Sequence, residues 1–73
     1  MKKQDKEYLE LIGDNIRKKR EKKGMSQQEL ADYANLPKIT IQRVELAKVN
    51  ASILTLKNIS AALEMDLSDL VKK

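Results

Sequence analysis

The sequence predicts an all-α domain, on three observations. Aliphatic residues recur at three- and four-residue spacing along nearly the whole chain. Two segments begin with a polar cap followed three residues later by an acid, as Ser26 with Glu29 and Asp66 with Asp69. The 41% hydrophobic content includes neither Phe nor Trp, so the core is built from Leu, Ile, Val, Ala and Met.

The elements follow in order. Residues 1–7, including the polar start MKKQDK, show no apolar periodicity and are assigned to a flexible tail, leaving 8–73 as one domain. A first helix is expected from about Lys6 to Lys23, with a stripe through Tyr8, Ile12 and Ile16. It is weakened slightly by Gly13 and stopped by Gly24, and its last turns are basic where the helix dipole favours cations. The second starts at Ser26, whose side chain can cap the Glu29 amide while Glu29 reaches back. Met25 and Leu30 stand at the two ends of a hydrophobic staple. Leu30, Ala31, Tyr33 and Ala34 fall on its core side. Asn35-Leu36-Pro37 closes it, because Asn tolerates the left-handed conformation and Pro37 drives Leu36 out of the helical region. A third helix, roughly Pro37 to Leu46, turns Ile41 and Val44 inward and leaves Lys38, Ile39, Gln42, Arg43 and Leu46 on the opposite side. A fourth, about Ala51 to Leu63, carries an Ile53, Leu56, Ile59, Leu63 stripe. A last helix begins at Asp66, with Met65 and Leu70 as a second staple and Leu67, Leu70 and Val71 as its apolar side.

Two short helices joined by a turn of about three residues have the form of a helix-turn-helix. The outer face of the second of them, with Lys, Arg and Gln, suits a major groove, where Arg pairs with guanine, Gln with adenine, and an apolar side chain such as Ile39 touches a thymine methyl.

Composition narrows the alternatives. Without Cys there are no disulfides or thiolate metal sites, and without His the commonest general base is missing. The carboxylates are dispersed among basic residues, and two glycines cannot build a phosphate-cradling loop, so an enzyme and a bound cofactor are not expected. The net charge of +4 is unevenly spread: from Arg17 to Lys23 six of seven residues are basic, whereas Ser52 to Asp69 holds one Lys against three acids. That asymmetry fits one half facing double-stranded DNA. No apolar run approaches the roughly 18 residues of a membrane span, and the first residues are too polar for a secretory signal, so a cytoplasmic location is expected.

Ile12-Gly13, Arg17, Arg20, Gly24-Met25-Ser26-Gln27, Glu29-Leu30-Ala31, Ile41, Arg43 to Glu45 and Leu56 together resemble the lambda-repressor-like, Cro/C1-type (XRE) helix-turn-helix family over about residues 10 to 71. The resemblance implies a compact five-helix DNA-binding domain and a transcriptional regulator, most simply a repressor, acting as a homodimer on an inverted-repeat operator. It places Lys38, Ile39, Thr40 and Arg43 at base-reading positions, to which the helical wheel adds Gln42. It places Gln27 on a phosphate, with Gln28, Arg17 and Lys48 as further phosphate candidates, and it maps a buried ion pair onto Arg20 and Glu45. The chain departs from the family pattern in four places. Pro37 replaces a hydroxyl cap, Ala47 and Glu64 stand at frequent Gly positions, and Ala51 replaces a common Pro. If positive φ is required at Ala47, its Cβ costs on the order of 1 kcal/mol. The alternative function is a protein-interaction module on the same scaffold, favoured by the exposed aliphatics Ile39 and Leu46.

Overall fold

The computed structural model describes residues 2–73. Helix α1 spans Lys3–Lys22, α2 Gln27–Ala34, α3 Lys38–Glu45 and α4 Ile53–Ala62. A 3-10 turn over Leu67–Val71 closes the chain. The architecture is therefore four α-helices and a 3-10 turn rather than five helices.

The last element is too short for a settled run of i to i+4 bonds, and α1 takes up the carbonyls at its C-terminal end. Asn15 Nδ2 donates to Leu70 O at 2.7 Å and to Lys72 O at 2.8 Å. The tighter turn keeps its predicted start, since Asp66 N donates to Asp69 Oδ2 at 3.1 Å. It also buries Leu70 completely.

The first helix begins at Lys3 rather than near Lys6, so the described part of the expected tail is largely helical. Lys, Gln and Glu are good helix formers, and Asp5 in the first turn complements the dipole. These turns are exposed and stand beyond the core. Met1 lies outside the described residues.

The core is Ile16 from α1, Leu30, Ala31 and Ala34 from α2, Ile41 and Val44 from α3, Ile59 and Leu63 from α4 and its cap, and Leu70 from the 3-10 turn. Met25 and Met65, each preceding an N-cap, pack against this cluster as the staples predict. Four residues expected on apolar sides are exposed instead, one of them Val71, 45% exposed at the end of the last turn. Tyr33 is 74% exposed, because it sits on the flank of α2, about 100° from the centre of the arc formed by Leu30, Ala31 and Ala34. Ile53 is 64% exposed as the first residue of α4, overhanging the core by a turn, and Tyr8 extends past it on α1.

All four helices end in the same way. The residue after the last turn takes the left-handed conformation: Gly24 at φ 70°, Asn35 at 57°, Ala47 at 57° and Glu64 at 56°. Its amide and the next one bond back to the helix, as Gly24 N to Glu21 O and Met25 N to Arg20 O, or Ala47 N to Val44 O and Lys48 N to Arg43 O. These are Schellman closures. One uses Gly, one uses Asn, and two hold a side chain in a conformation that disfavours it.

Gly13 has a specific reason to be glycine. An added Cβ would lie 2.7 Å from both Val44 O and Glu45 O. Its absence lets α1 run directly against the backbone of the end of α3, a gain that outweighs the propensity lost inside the helix.

Candidate nucleic-acid interface

The capped start of α2 has the predicted form: Glu29 N donates to Ser26 Oγ at 3.0 Å, and Ser26 N donates to Glu29 Oε1 at 2.9 Å. Asn35 makes the left-handed turn, with Leu36 N bonded to Ala31 O at 2.9 Å. Pro37, extended at φ −64° and ψ 145°, occupies the N-cap position of α3 instead of its first turn. This connection fixes the angle at which α3 leaves α2.

Helix α3 is anchored by Ile41 and Val44 and presents the rest of its surface outward. Lys38 and Arg43 are exposed, Ile39 is 49% exposed, and Thr40 and Gln42 are half-buried. The five base-reading candidates thus share one short helix, but Thr40 and Gln42 offer only part of their surface. Leu46, just beyond the helix, is exposed and does not belong to the core.

The phosphate candidates differ among themselves. Lys48 is exposed on the loop after the strained Ala47. Arg17 Nη1 lies 2.9 Å from Asp14 Oδ1 in a partly solvated pair. Gln28 Nε2 donates to Asp32 Oδ1 at 2.9 Å one turn along α2. Gln27 Nε2 donates to Glu45 Oε1 at 3.1 Å, so this side chain joins α2 to the end of α3.

Beneath this surface lies the Arg20–Glu45 pair. Arg20 Nε donates to Glu45 Oε2 at 2.7 Å and Nη2 to Oε1 at 3.0 Å, while Nη1 donates to Met25 O at 2.9 Å. The two side chains are 12% and 4% exposed. The hydrogen bonds to Glu45 hold the Arg20 guanidinium above its ordinary pKa, against the opposing effect of desolvation. The bidentate geometry and the extra carbonyl compensate both charges in the interior. Nothing in the wheel pointed to the Gln27 contact or to Asn15. Each is a polar side chain whose partner lies on a different element, distant in sequence.

A capped helix, a three-residue turn and a second helix whose polar face is supported from below define a helix-turn-helix DNA-binding domain of the transcriptional-regulator type. The helix-turn-helix family profile HTH_3 matches residues 16–70. The chain belongs to this family, the Cro/C1-type group of regulators.

Solved structures agree. The restriction-modification controller protein C.AhdI from Aeromonas hydrophila is 29% identical, with 85% of this chain and 94% of that one aligned at a TM-score of 0.82. A hypothetical transcription factor, NHTF, from Neisseria is 26% identical over 93% of this chain and 78% of its own, at 0.87. An HTH_3 family transcriptional regulator from Vibrio cholerae is 23% identical and shares the fold at 0.85; 90% of this chain covers 37% of that longer one. No curated protein sequence matches the chain. Among the described residues, no helix is long and apolar enough to cross a membrane.

Proposed function

We propose that this protein is a sequence-specific transcriptional regulator, a repressor that binds an inverted-repeat operator as a homodimer, with α3 in the major groove. The observation that carries this reading is α3 itself: Ile41 and Val44 lock it into the core while Lys38, Ile39 and Arg43 project from the other side. Arg43 reads guanine, Ile39 meets a thymine methyl, and Lys38, Thr40 and Gln42 complete the base contacts. Gln27, Gln28, Arg17 and Lys48 hold phosphates and set the register. For Arg17 and Gln28 this requires exchanging an exposed carboxylate partner for a phosphate, which solvation makes inexpensive.

A homodimer is supported by the aliphatic side chains that the fold leaves uncovered at Leu46, Ile53 and Leu54. Large exposed apolar groups mark association surfaces, and a 73-residue domain has a thin stability margin by itself. Two copies of α3 then sit about 34 Å apart, in successive major grooves.

The test is a titration of Arg43→Ala against an operator selected from random duplex, its single-base variants and an unrelated duplex. The expected loss is about 1–3 kcal/mol, confined to one operator position. An equal loss on every duplex, or none, removes α3 as the reading element. It favours instead a protein-docking role, for which the exposed Ile39 and Leu46 are suited. Sedimentation that finds only monomer, both free and on DNA, excludes the dimer.

A further inference from the structure

The contact between Gln27 and Glu45 gives the buried ion pair a second use. A glutamine amide can be turned either way, with its NH2 or its carbonyl toward a neighbour, and packing alone barely distinguishes the two. Here the neighbour is Oε1 of an ionised carboxylate, which already accepts from Arg20 Nη2 at 3.0 Å and accepts from Gln27 Nε2 at 3.1 Å. The reverse orientation would set the Gln27 carbonyl oxygen against that oxygen and is repelled. Gln27 is also the first residue of α2, where the backbone amides of Gln27 and Gln28 have no acceptor within the helix, while that of Glu29 is taken by Ser26 Oγ.

We propose that Glu45 is a positioning residue for phosphate binding: pinned by Arg20, it locks the Gln27 amide so that the second Nε2 proton, and not the carbonyl oxygen, is offered to a DNA phosphate beside the α2 amides. The inference rests on the DNA-binding reading above. Arg20 has two roles in it. It fixes the carboxylate in place with two hydrogen bonds, and it neutralises a negative charge that would otherwise lie under the phosphate.

The proposal inverts the effect expected from net charge. Replacing Glu45 by Gln makes the domain more positive, which by charge alone strengthens binding to any duplex. An unlocked Gln27 instead weakens it. The experiment is a double-mutant cycle on an unrelated duplex at two salt concentrations, using folded Glu45→Gln, Gln27→Ala and the double variant. Gln27→Ala is expected to weaken binding about tenfold, the loss of a hydrogen bond to a charged group. Glu45→Gln is expected to weaken the parent by a similar factor and to have no effect once Gln27 is Ala.

Equal effects of Glu45→Gln in both backgrounds, or tighter binding in the parent background, overturn the proposal. A parent protein that binds no duplex overturns the DNA-binding reading and the proposal with it, whereas binding without coupling overturns the proposal alone. If Glu45→Gln does not fold, the Gln27 side-chain amide of the parent is followed by NMR. One proton is expected to be protected before duplex is added and the other to shift on addition; two protons exchanging as fast as those of exposed Gln4 overturn it.

Discussion

Helix α3 is held differently along its seam with α1 and at its C-terminal exit toward α4. Toward α1 it is fitted closely: Gly13 admits the carbonyls of Val44 and Glu45, and Arg20 closes on Glu45 with two hydrogen bonds. Toward α4 it ends in Ala47 at φ 57° and passes through a loop flanked by exposed Leu46, Ile53 and Leu54. On the α1 side even a glycine that weakens its own helix serves the contact, whereas on the α4 side a residue is held where glycine would sit more easily and apolar surface is left open. Stability is thus concentrated on the seam that orients the recognition helix. The other side is where local sequence preference and fold disagree, and such disagreements cluster at surfaces with a further use.

The contrast is broken most severely at the ion pair. Glu45→Ala is expected to cost about 3–5 kcal/mol, because it strands the Arg20 charge in the interior and removes the Gln27 partner. Denaturant unfolding measures it, and an unchanged midpoint would mean that the pair contributes nothing. Gly13→Ala follows, at about 1–3 kcal/mol by overpacking. The two oxygens it would strike belong to backbone, which cannot move without displacing α3. An alanine there that stabilised the protein, as helix propensity alone suggests, would show that α1 and α3 can separate freely.

The α4 side is sharpened by a reciprocal pair of smaller changes. Ala47→Gly is expected to stabilise by about 0.5–1 kcal/mol, the strain of a left-handed alanine less the entropy of an added glycine. Gly24→Ala, in the same Schellman position after α1 and with open space around the new Cβ, should lose a similar amount. If both changes have the same sign in thermal unfolding, backbone strain is not what distinguishes the two helix ends.

The smallest effect is at the surface and fades in acid. Glu64 is held below the ordinary carboxylate range chiefly by its hydrogen bond to Lys23 at 2.7 Å, and Asp69 likewise by Lys72. A carboxyl group whose pKa is lower in the folded state stabilises that state at pH above its ordinary value, and the contribution is lost as pH falls through the folded-state value. Glu64 is exposed, so Lys23→Ala should lower stability at neutral pH only slightly. The difference from the parent should shrink to nothing as pH falls through the carboxylate range, as read by thermal unfolding followed by circular dichroism. A stability identical to the parent's at neutral pH would mean that water screens the pair fully.

Much of this was legible in the sequence. The cap at Ser26, the stop at Asn35 and the inward Ile41 and Val44 are set within a few residues of one another, by side-chain hydrogen bonding and by helical periodicity, whereas Ala47 stood out only against the family's glycine. The pairing of Arg20 with Glu45 came from family resemblance, with the stripe on α1 in agreement. What had to wait for the tertiary structure are facts about distance between elements. Gly13 read only as a weak point in a helix until α3 was seen lying against it. Asn15 gave no sign that it would take the carbonyls at the end of the last turn. Gln27 read as a free phosphate ligand, and its bond to Glu45 exists because α2 and α3 meet at that angle. Periodicity reports which side of a helix is apolar; it does not report how far the neighbour stands from that side or which polar groups the approach brings together. Those distances arise from packing the whole core at once, and here they determined both the ion-pair seam and the orientation of the Gln27 amide.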